Sequence, residues 1–174
     1  ERMLQGFGYA VDVDSAQSSS SVSGGADLAA NEIDVPADIS SAAFFLVAAA
    51  ITLDSDLTLR HVGVNPTRIG VINILRDMGA NIEASNERLV GGEPVADLRV
   101  RYQALSGITI AEDQIPLAID EFPVLFIAAA CAEGETLLRG AEELRVKESD
   151  RIDAMAQGLE QLGVKFETFD DGIK

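Results

Sequence analysis

The residues best suited to chemistry lie in the densely charged stretch 142–151. This stretch leads into a predicted helix, for which Ser149 is a candidate N-cap. A helix N-terminus offers free N–H donors and the positive end of a dipole, so it attracts anions. Lys147 and Arg151 are four residues apart and project to the same side if the first turn includes both. The pattern indicates an anion-binding site, and a solvated loop of local ion pairs is the alternative.

A second candidate is Asp120, which together with Glu121 precedes a predicted apolar helix. Carboxylates at that place can cap the helix and compensate its dipole without any other role. The spacing therefore leaves the role of Asp120 open. The single histidine, His61, ends a predicted strand without a partner for nucleophilic catalysis, so we expect it to be packed or at the surface. Cys131 is predicted to lie buried in the apolar helix, where its thiol would be unreactive.

The composition excludes several classes of protein. The chain has 174 residues and a net charge of −16, which disfavours nucleic-acid binding because that requires a basic surface. One cysteine and one histidine exclude a disulfide framework and a Cys₂His₂ zinc site, and we expect neither metal nor cofactor. The longest apolar runs, 39–53 and 122–132, are shorter than the ~20 residues of a membrane span. An acidic chain without disulfides fits the cytoplasm.

Helices and strands are predicted to alternate, and the length suits one domain or one domain with a piece of another. Apolar periodicity or continuous apolar runs predict helices over 1–9, 41–53, 66–79, 122–132 and 149–162. Short apolar runs between turn residues predict strands over 9–14, 33–35, 57–62, 81–84, 97–102, 107–111, 136–139 and 164–168. The serine run at 18–25 predicts at most a weak strand. Asn65 followed by Pro66 is typical of a helix start, and Asp38 or Ser40 can cap the helix before it.

The pattern repeats once along the chain. Residues 48–50 correspond to 128–130, 58–60 to 137–139, and 79–83 to 163–167. Each copy has the order βαβα followed by strands, with one helix that is apolar on every side and therefore predicted to be buried. The second copy carries a longer, charged loop around 142–148, whereas the matching stretch 62–68 is bland. A departure from a shared template is where function is expected.

Three motifs occur in order along the whole chain: residues 1–8, residues 35–44 and residues 145–152, the last reading Arg-Val-Lys-Glu-Ser-Asp-Arg-Ile. The last motif resembles the signature segment of the EPSP synthase family, the 3-phosphoshikimate 1-carboxyvinyltransferases. The first resembles the helix after that family's His-Thr pair. The second resembles its Pro-Gly-Asp-Ile-Ser-Ser-Ala-Ala-Phe segment, with Ala37 in place of the usual glycine.

The resemblance implies an α/β fold in which βαβαββ units form an inside-out α/β barrel around buried helices. Residues 1–31 would be the tail of the first domain and the hinge. Residues 32–174 would be most of the second domain, with units at about 32–104 and 105–174. The chain would then be a fragment of the enzyme, a monomer at full length, and inactive alone because other substrate ligands lie elsewhere.

The implied reaction transfers an enolpyruvyl group from phosphoenolpyruvate to the 5-hydroxyl of shikimate 3-phosphate. Carried over from the family, Asp120 is the proton acceptor and a ligand of the shikimate ring. Lys147 contacts shikimate 3-phosphate and the reacting oxygen, Glu148 is the second acid or base, and Arg151 binds phosphoenolpyruvate together with Glu148. Because Lys147 and Arg151 should lower the pKa of Glu148, the division of acid and base roles between Asp120 and Glu148 stays open.

Three alternatives remain. An enolpyruvyl transferase acting on UDP-N-acetylglucosamine shares the fold and repeat, but the run of residues 147–151 favours the shikimate enzyme. An RNA 3′-phosphate cyclase uses similar repeats, and the acidic composition argues against it. A non-catalytic repeat module is disfavoured by the charge at 145–151. If Asp120, Glu148, Lys147 and Arg151 diverged into solvent, the catalytic assignment would fail.

Overall fold

A computed structural model describes residues 1–14, 16–25 and 27–174. Positions 15 and 26, which belong to the predicted tail 1–31, lie outside the described residues. The helices are α1 (Arg2–Gly6), α2 (Ile39–Ile51), α3 (Gly70–Asp77), α4 (Phe122–Ala130) and α5 (Arg151–Gln161). The strands are β1 (Val11–Asp14), β2 (Ser19–Val22), β3 (Asp56–Gly63), β4 (Asn81–Val90), β5 (Glu93–Arg101), β6 (Thr168–Phe169) and β7 (Gly172–Ile173). Short 3₁₀ turns lie at Glu112–Gln114 and Glu142–Arg145. The predicted mixed α/β class is confirmed, and the described residues form no closed barrel.

The largest sheet has the order β3-β5-β4, with both pairings antiparallel. Both outer strands carry a register shift, and each shift contains a residue with positive φ, His61 at 58° and Asn86 at 52°. Asp97 on the central strand accepts the His61 N–H and the Asn86 side-chain amide, each at 2.8 Å. His61 therefore has a structural setting, as the sequence predicts.

The apolar helices α2 and α4 pack against each other at the centre of the core. Asp38 caps α2 by accepting the Ser41 N–H at 2.9 Å, as predicted. The expectation that both helices are buried on every side is wrong for α2, because Phe44 and Phe45 are 63% and 58% exposed. They lie on the side of α2 that faces away from α4 and the sheet.

Several predicted strands are reduced to isolated backbone bridges or to none. The stretches 107–111 and 136–139 are joined by a bridge between Thr109 and Leu137, Leu138 also bridges Ile173, and the stretch 33–35 forms no strand. The stretch 164–168 is irregular until β6 begins at Thr168. Ile110 and Leu138 in these stretches are buried, whereas Ile33 and Val35 are 55% and 75% exposed. Isolated bridges are too few to make a continuous ladder.

The helix predicted from residue 66 begins instead at Gly70. Asn65 accepts the Thr67 N–H with its side chain and the Arg68 N–H with its carbonyl, so it closes a turn and caps no helix. Gly70 then lies so close to Leu117 that an added Cβ would be 2.6 Å from the Leu117 carbonyl carbon. In residues 1–14, 16–25 and 27–174, we find no helix with both the length and the apolar character needed to cross a membrane.

Candidate functional site

Asp120 lies on the segment that leads into α4 and faces the start of α5. Its carboxylate caps nothing, since α4 has Glu121 at its N-cap position and no side-chain cap hydrogen bond. Instead, Asp120 Oδ1 accepts a hydrogen bond from Arg151 Nη1 at 3.0 Å, with 53% of the side chain exposed. The spacing left open whether Asp120 caps α4 or has another role. Asp120 does not cap α4 and instead forms an ion pair with Arg151, 31 residues further along the chain.

Arg151, the first residue of α5, connects two carboxylates. Its Nη1 donates to Asp120, and its Nη2 donates to Glu148 Oε2, also at 3.0 Å. Burial alone would lower the pKa of Arg151, but the hydrogen bonds to both carboxylates outweigh it and raise the pKa. The guanidinium is thus a permanent cation held in a fixed orientation, a suitable ligand for a phosphate or carboxylate.

Glu148 is the most exposed member of the group, at 83%. Its own backbone N–H lowers the pKa of its carboxyl, and Arg151 and Lys147 lower it further. Glu148 is therefore an ionised carboxylate in this arrangement. The sequence-based expectation that the two cations lower its pKa is confirmed.

Lys147 completes the group. Its ammonium donates to Glu143 Oε1 at 2.5 Å, which is the main cause of the raised pKa of Lys147. The negative charge of Asp120 also raises this pKa, while Arg151 opposes it. Hydrogen bonds thus join Asp120, Arg151 and Glu148, and Lys147 lies near enough for the charges of Asp120 and Arg151 to shift its pKa. Carboxylates hold both basic groups, Glu143 that of Lys147 and Asp120 and Glu148 that of Arg151.

The start of α5 differs from the prediction. Asp150, not Ser149, is the N-cap, and its Oδ1 accepts the Asp153 N–H at 2.9 Å. The other oxygen of Asp150 accepts from Arg145 Nη1 at 2.7 Å. The expectation of a free, anion-attracting N-terminus is weakened, because the chain's own carboxylate already occupies it. The cationic side chains therefore make the site.

The first copy of the repeat contributes residues to the surroundings of the site that the sequence pattern does not single out. Glu121 is 5% exposed, and its Oε1 accepts a hydrogen bond from Ser40 Oγ at 2.5 Å. Ser40 in turn accepts from Arg68 Nη2 at 2.7 Å. The stretch 62–68 therefore contributes to the surroundings of the site, since Arg68 is connected through Ser40 to Glu121, the neighbour of Asp120. No sequence signal distinguishes Glu121, because an acidic residue directly before an apolar helix can equally be an exposed cap, as Asp38 is before α2.

Cys131 corrects another expectation. The sequence places it inside a buried helix, but α4 ends at Ala130 and Cys131 is exposed at its C-cap. Its predicted burial is therefore wrong, because the apolar run continues past the end of the helix.

Comparisons with known proteins show the family of the chain. A family model described as EPSP synthase (3-phosphoshikimate 1-carboxyvinyltransferase) matches residues 1–174. The 3-phosphoshikimate 1-carboxyvinyltransferases of Alkalilimnicola ehrlichii and Halorhodospira halophila are each 66% identical over 100% of this chain. The chain spans 39% of the length of each of these relatives. A solved structure described as EPSP synthase from Acinetobacter baumannii has a TM-score of 0.95 at 57% identity, covering 99% of this chain and 38% of that one. The chain belongs to the EPSP synthase family.

Proposed function

We propose that this chain supplies part of the active site of a 3-phosphoshikimate 1-carboxyvinyltransferase. The enzyme would transfer the enolpyruvyl group of phosphoenolpyruvate to the 5-hydroxyl of shikimate 3-phosphate and release phosphate. The observation that carries the proposal is the Arg151 guanidinium held between the carboxylates of Asp120 and Glu148, with Lys147 beside them. The whole of this chain matches part of relatives that are named 3-phosphoshikimate 1-carboxyvinyltransferase, and those names support the same reaction.

The reaction requires both proton transfer and the binding of two anions. A base removes the proton of the 5-hydroxyl, whose oxygen bonds to the central carbon of phosphoenolpyruvate while an acid protonates the methylene carbon. The tetrahedral intermediate then loses phosphate, and loss of a methyl proton restores the double bond. Fixed cations are needed to hold the phosphates and the carboxylate close together. Lys147 and Arg151 are cations already oriented by carboxylates.

In our proposal Asp120 accepts the hydroxyl proton and contacts the shikimate ring. Lys147 binds shikimate 3-phosphate near the reacting oxygen, and Arg151 binds phosphoenolpyruvate. When Arg151 turns from Glu148 to the substrate, one of the causes of the low pKa of Glu148 is removed. Glu148 would then gain proton affinity only in the loaded site, where it acts as the second acid or base.

We further infer the domain arrangement that the family resemblance implies. Residues 1–31 would form the tail of the first domain and the hinge, and residues 32–174 two units of an inside-out α/β barrel. The contact between the apolar helices α2 and α4, one from each copy of the repeat, supports this arrangement. A location in the cytoplasm is the accompanying proposal, supported by the acidic composition and the single cysteine. A monomeric state is proposed on the family resemblance alone.

The test is an assay of the protein expressed from its complete reading frame, with both substrates supplied and phosphate release and the enolpyruvyl product measured. We expect turnover by the wild-type protein and a loss of roughly 10²-fold or more in Glu148→Gln. Glu160→Gln, on the exposed side of α5, is the matched control and should retain wild-type turnover. A folded wild-type protein that is inactive with shikimate 3-phosphate, or that prefers UDP-N-acetylglucosamine, contradicts the proposal.

A further inference from the structure

We propose that Glu121, together with Ser40 and Arg68, positions Asp120 for catalysis by fastening the start of α4 to the start of α2. The inference rests on the proposed function, because it assigns a supporting role to residues around the proposed proton acceptor. None of the three belongs to the substrate-binding set carried over from the family. Each of them lies within one network of hydrogen bonds that joins the two copies of the repeat.

The network has a defined direction. Arg68 can only donate, and its Nη2 donates to Ser40 Oγ at 2.7 Å. The hydroxyl has one proton of its own, which it donates to Glu121 Oε1 at 2.5 Å. Arg68 also lies 3.7 Å from Asp38 Oδ1, the cap of α2. The side chain of Glu121 is therefore tied to a cation and to the first turn of another helix.

Glu121 is placed to control its neighbour. Its N–H donates to the Ala118 carbonyl at 2.9 Å, and its own carbonyl accepts the Leu125 N–H at 3.0 Å. These bonds hold the backbone on both sides of Glu121. In contrast, the only hydrogen bond of the Asp120 side chain among the described residues is to Arg151, a group that we expect to turn toward substrate. Glu121 then remains as the fixed point next to Asp120.

A simple helix-dipole role does not account for Glu121. Such a role needs no partner and is compatible with exposure to solvent, whereas Glu121 is 5% exposed and makes no cap hydrogen bond. Burial raises the pKa of its carboxyl, and Ser40 and Arg68 oppose that rise. A buried carboxylate is unfavourable unless it is hydrogen-bonded. The hydrogen bond from Ser40 and the nearby charge of Arg68 offset this penalty, which an apolar residue at the same position would not have.

The test compares single variants in the protein expressed from its complete reading frame, with kcat and both KM values measured. For Glu121→Ala we expect kcat to fall and KM for shikimate 3-phosphate to rise, each by roughly tenfold, because small displacements of a reacting group cost this much or more. KM for phosphoenolpyruvate should change less than about twofold, because Arg151 lies on a different element and keeps its second carboxylate partner, Glu148. A general loss of stability would not separate the two substrates.

Two further variants distinguish positioning from packing. Glu121→Gln keeps an oxygen that can accept from Ser40, so it should restore most of the activity. Ser40→Ala removes the same hydrogen bond from the other side. The kcat of the double variant Glu121→Ala/Ser40→Ala should therefore lie within about twofold of the kcat of Glu121→Ala alone. Ser41→Ala is the matched control, because Ser41 lies in the same turn and its hydroxyl contacts Asp38 instead.

The outcomes separate the inference from the proposed function. If Glu121→Ala does not fold, Ser40→Ala, a smaller change, decides the matter. An active wild-type protein with neutral Ser40→Ala and Glu121→Ala variants overturns the inference and leaves the proposed function intact. Equal effects on the two KM values also overturn it. A folded wild-type protein that is inactive with both substrates overturns the proposed function, and the inference with it.

Discussion

The two strand-to-helix connections of the repeat have taken different roles. In the first copy, Asn65 closes a turn, and α3 begins at Gly70 in close contact with Leu117. In the second copy, a longer loop presents Lys147 and Glu148 just before α5. The same architectural position thus serves packing in one copy and charge in the other.

The first connection also contacts the segment of the second copy that carries Asp120. Gly70 donates its N–H to the Leu117 carbonyl at 3.1 Å, three residues before Asp120. Arg68 reaches Ser40 and through it Glu121. A connection in one copy of the repeat can thus help to fix a segment of the other copy that carries a charged residue.

The largest expected effect compares the carboxylates that precede the two central helices. Asp120→Ala should lower turnover by roughly 10²-fold or more with little change in stability, because Asp120 caps no helix. Asp38→Ala should instead lower the free energy of unfolding by about 1 kcal/mol, the usual value of a lost N-cap, with a smaller effect on turnover. Steady-state assays and urea unfolding of both variants check this. Equal losses of turnover would end the contrast between the two positions.

The second prediction compares two glycines in the helices that follow the connections. Gly70→Ala should destabilise the protein by about 1–3 kcal/mol, because its Cβ would meet the backbone of Leu117 and Ala118. Gly158→Ala in α5 meets open space and should stabilise it by about 0.5–1 kcal/mol. Thermal and urea unfolding give both values. An unchanged free energy of unfolding in Gly70→Ala would show that the backbone at Leu117 and Ala118 moves aside at little cost.

The third prediction concerns the start of α5. Asp150→Ala should cost about 1 kcal/mol of stability, because Asp150 accepts the Asp153 N–H. Ser149→Ala should change stability by less than about 0.5 kcal/mol, since its neighbour is the cap. The reverse ranking in urea unfolding would restore Ser149 as the N-cap.

The smallest expected effect is a pH dependence of stability at the same position. The Asp153 N–H is the main cause of the lowered pKa of Asp150, and Arg145 contributes. Because the pKa is depressed in the folded state, the stabilisation is complete above the unfolded value of about 3.9 and is lost as pH falls through the folded pKa. Asp150→Asn keeps a cap but cannot titrate, so wild type and variant should differ at pH 7 and converge near the acid limit. A constant difference across this range would contradict the assignment.

The amino-acid sequence by itself determined the features that depend on local pattern. The apolar runs specify α2 and α4, and Asp38, one of two predicted caps, specifies the start of α2, because each follows from residues close in the chain. The spacing of Lys147 and Arg151 does not place them on one helix face, because α5 begins only at Arg151. Only the tertiary structure decided that Asp120 faces Arg151, that Glu121 is held from a residue 81 positions away, and that Cys131 is exposed. These outcomes depend on which distant surfaces meet, and no local periodicity records that.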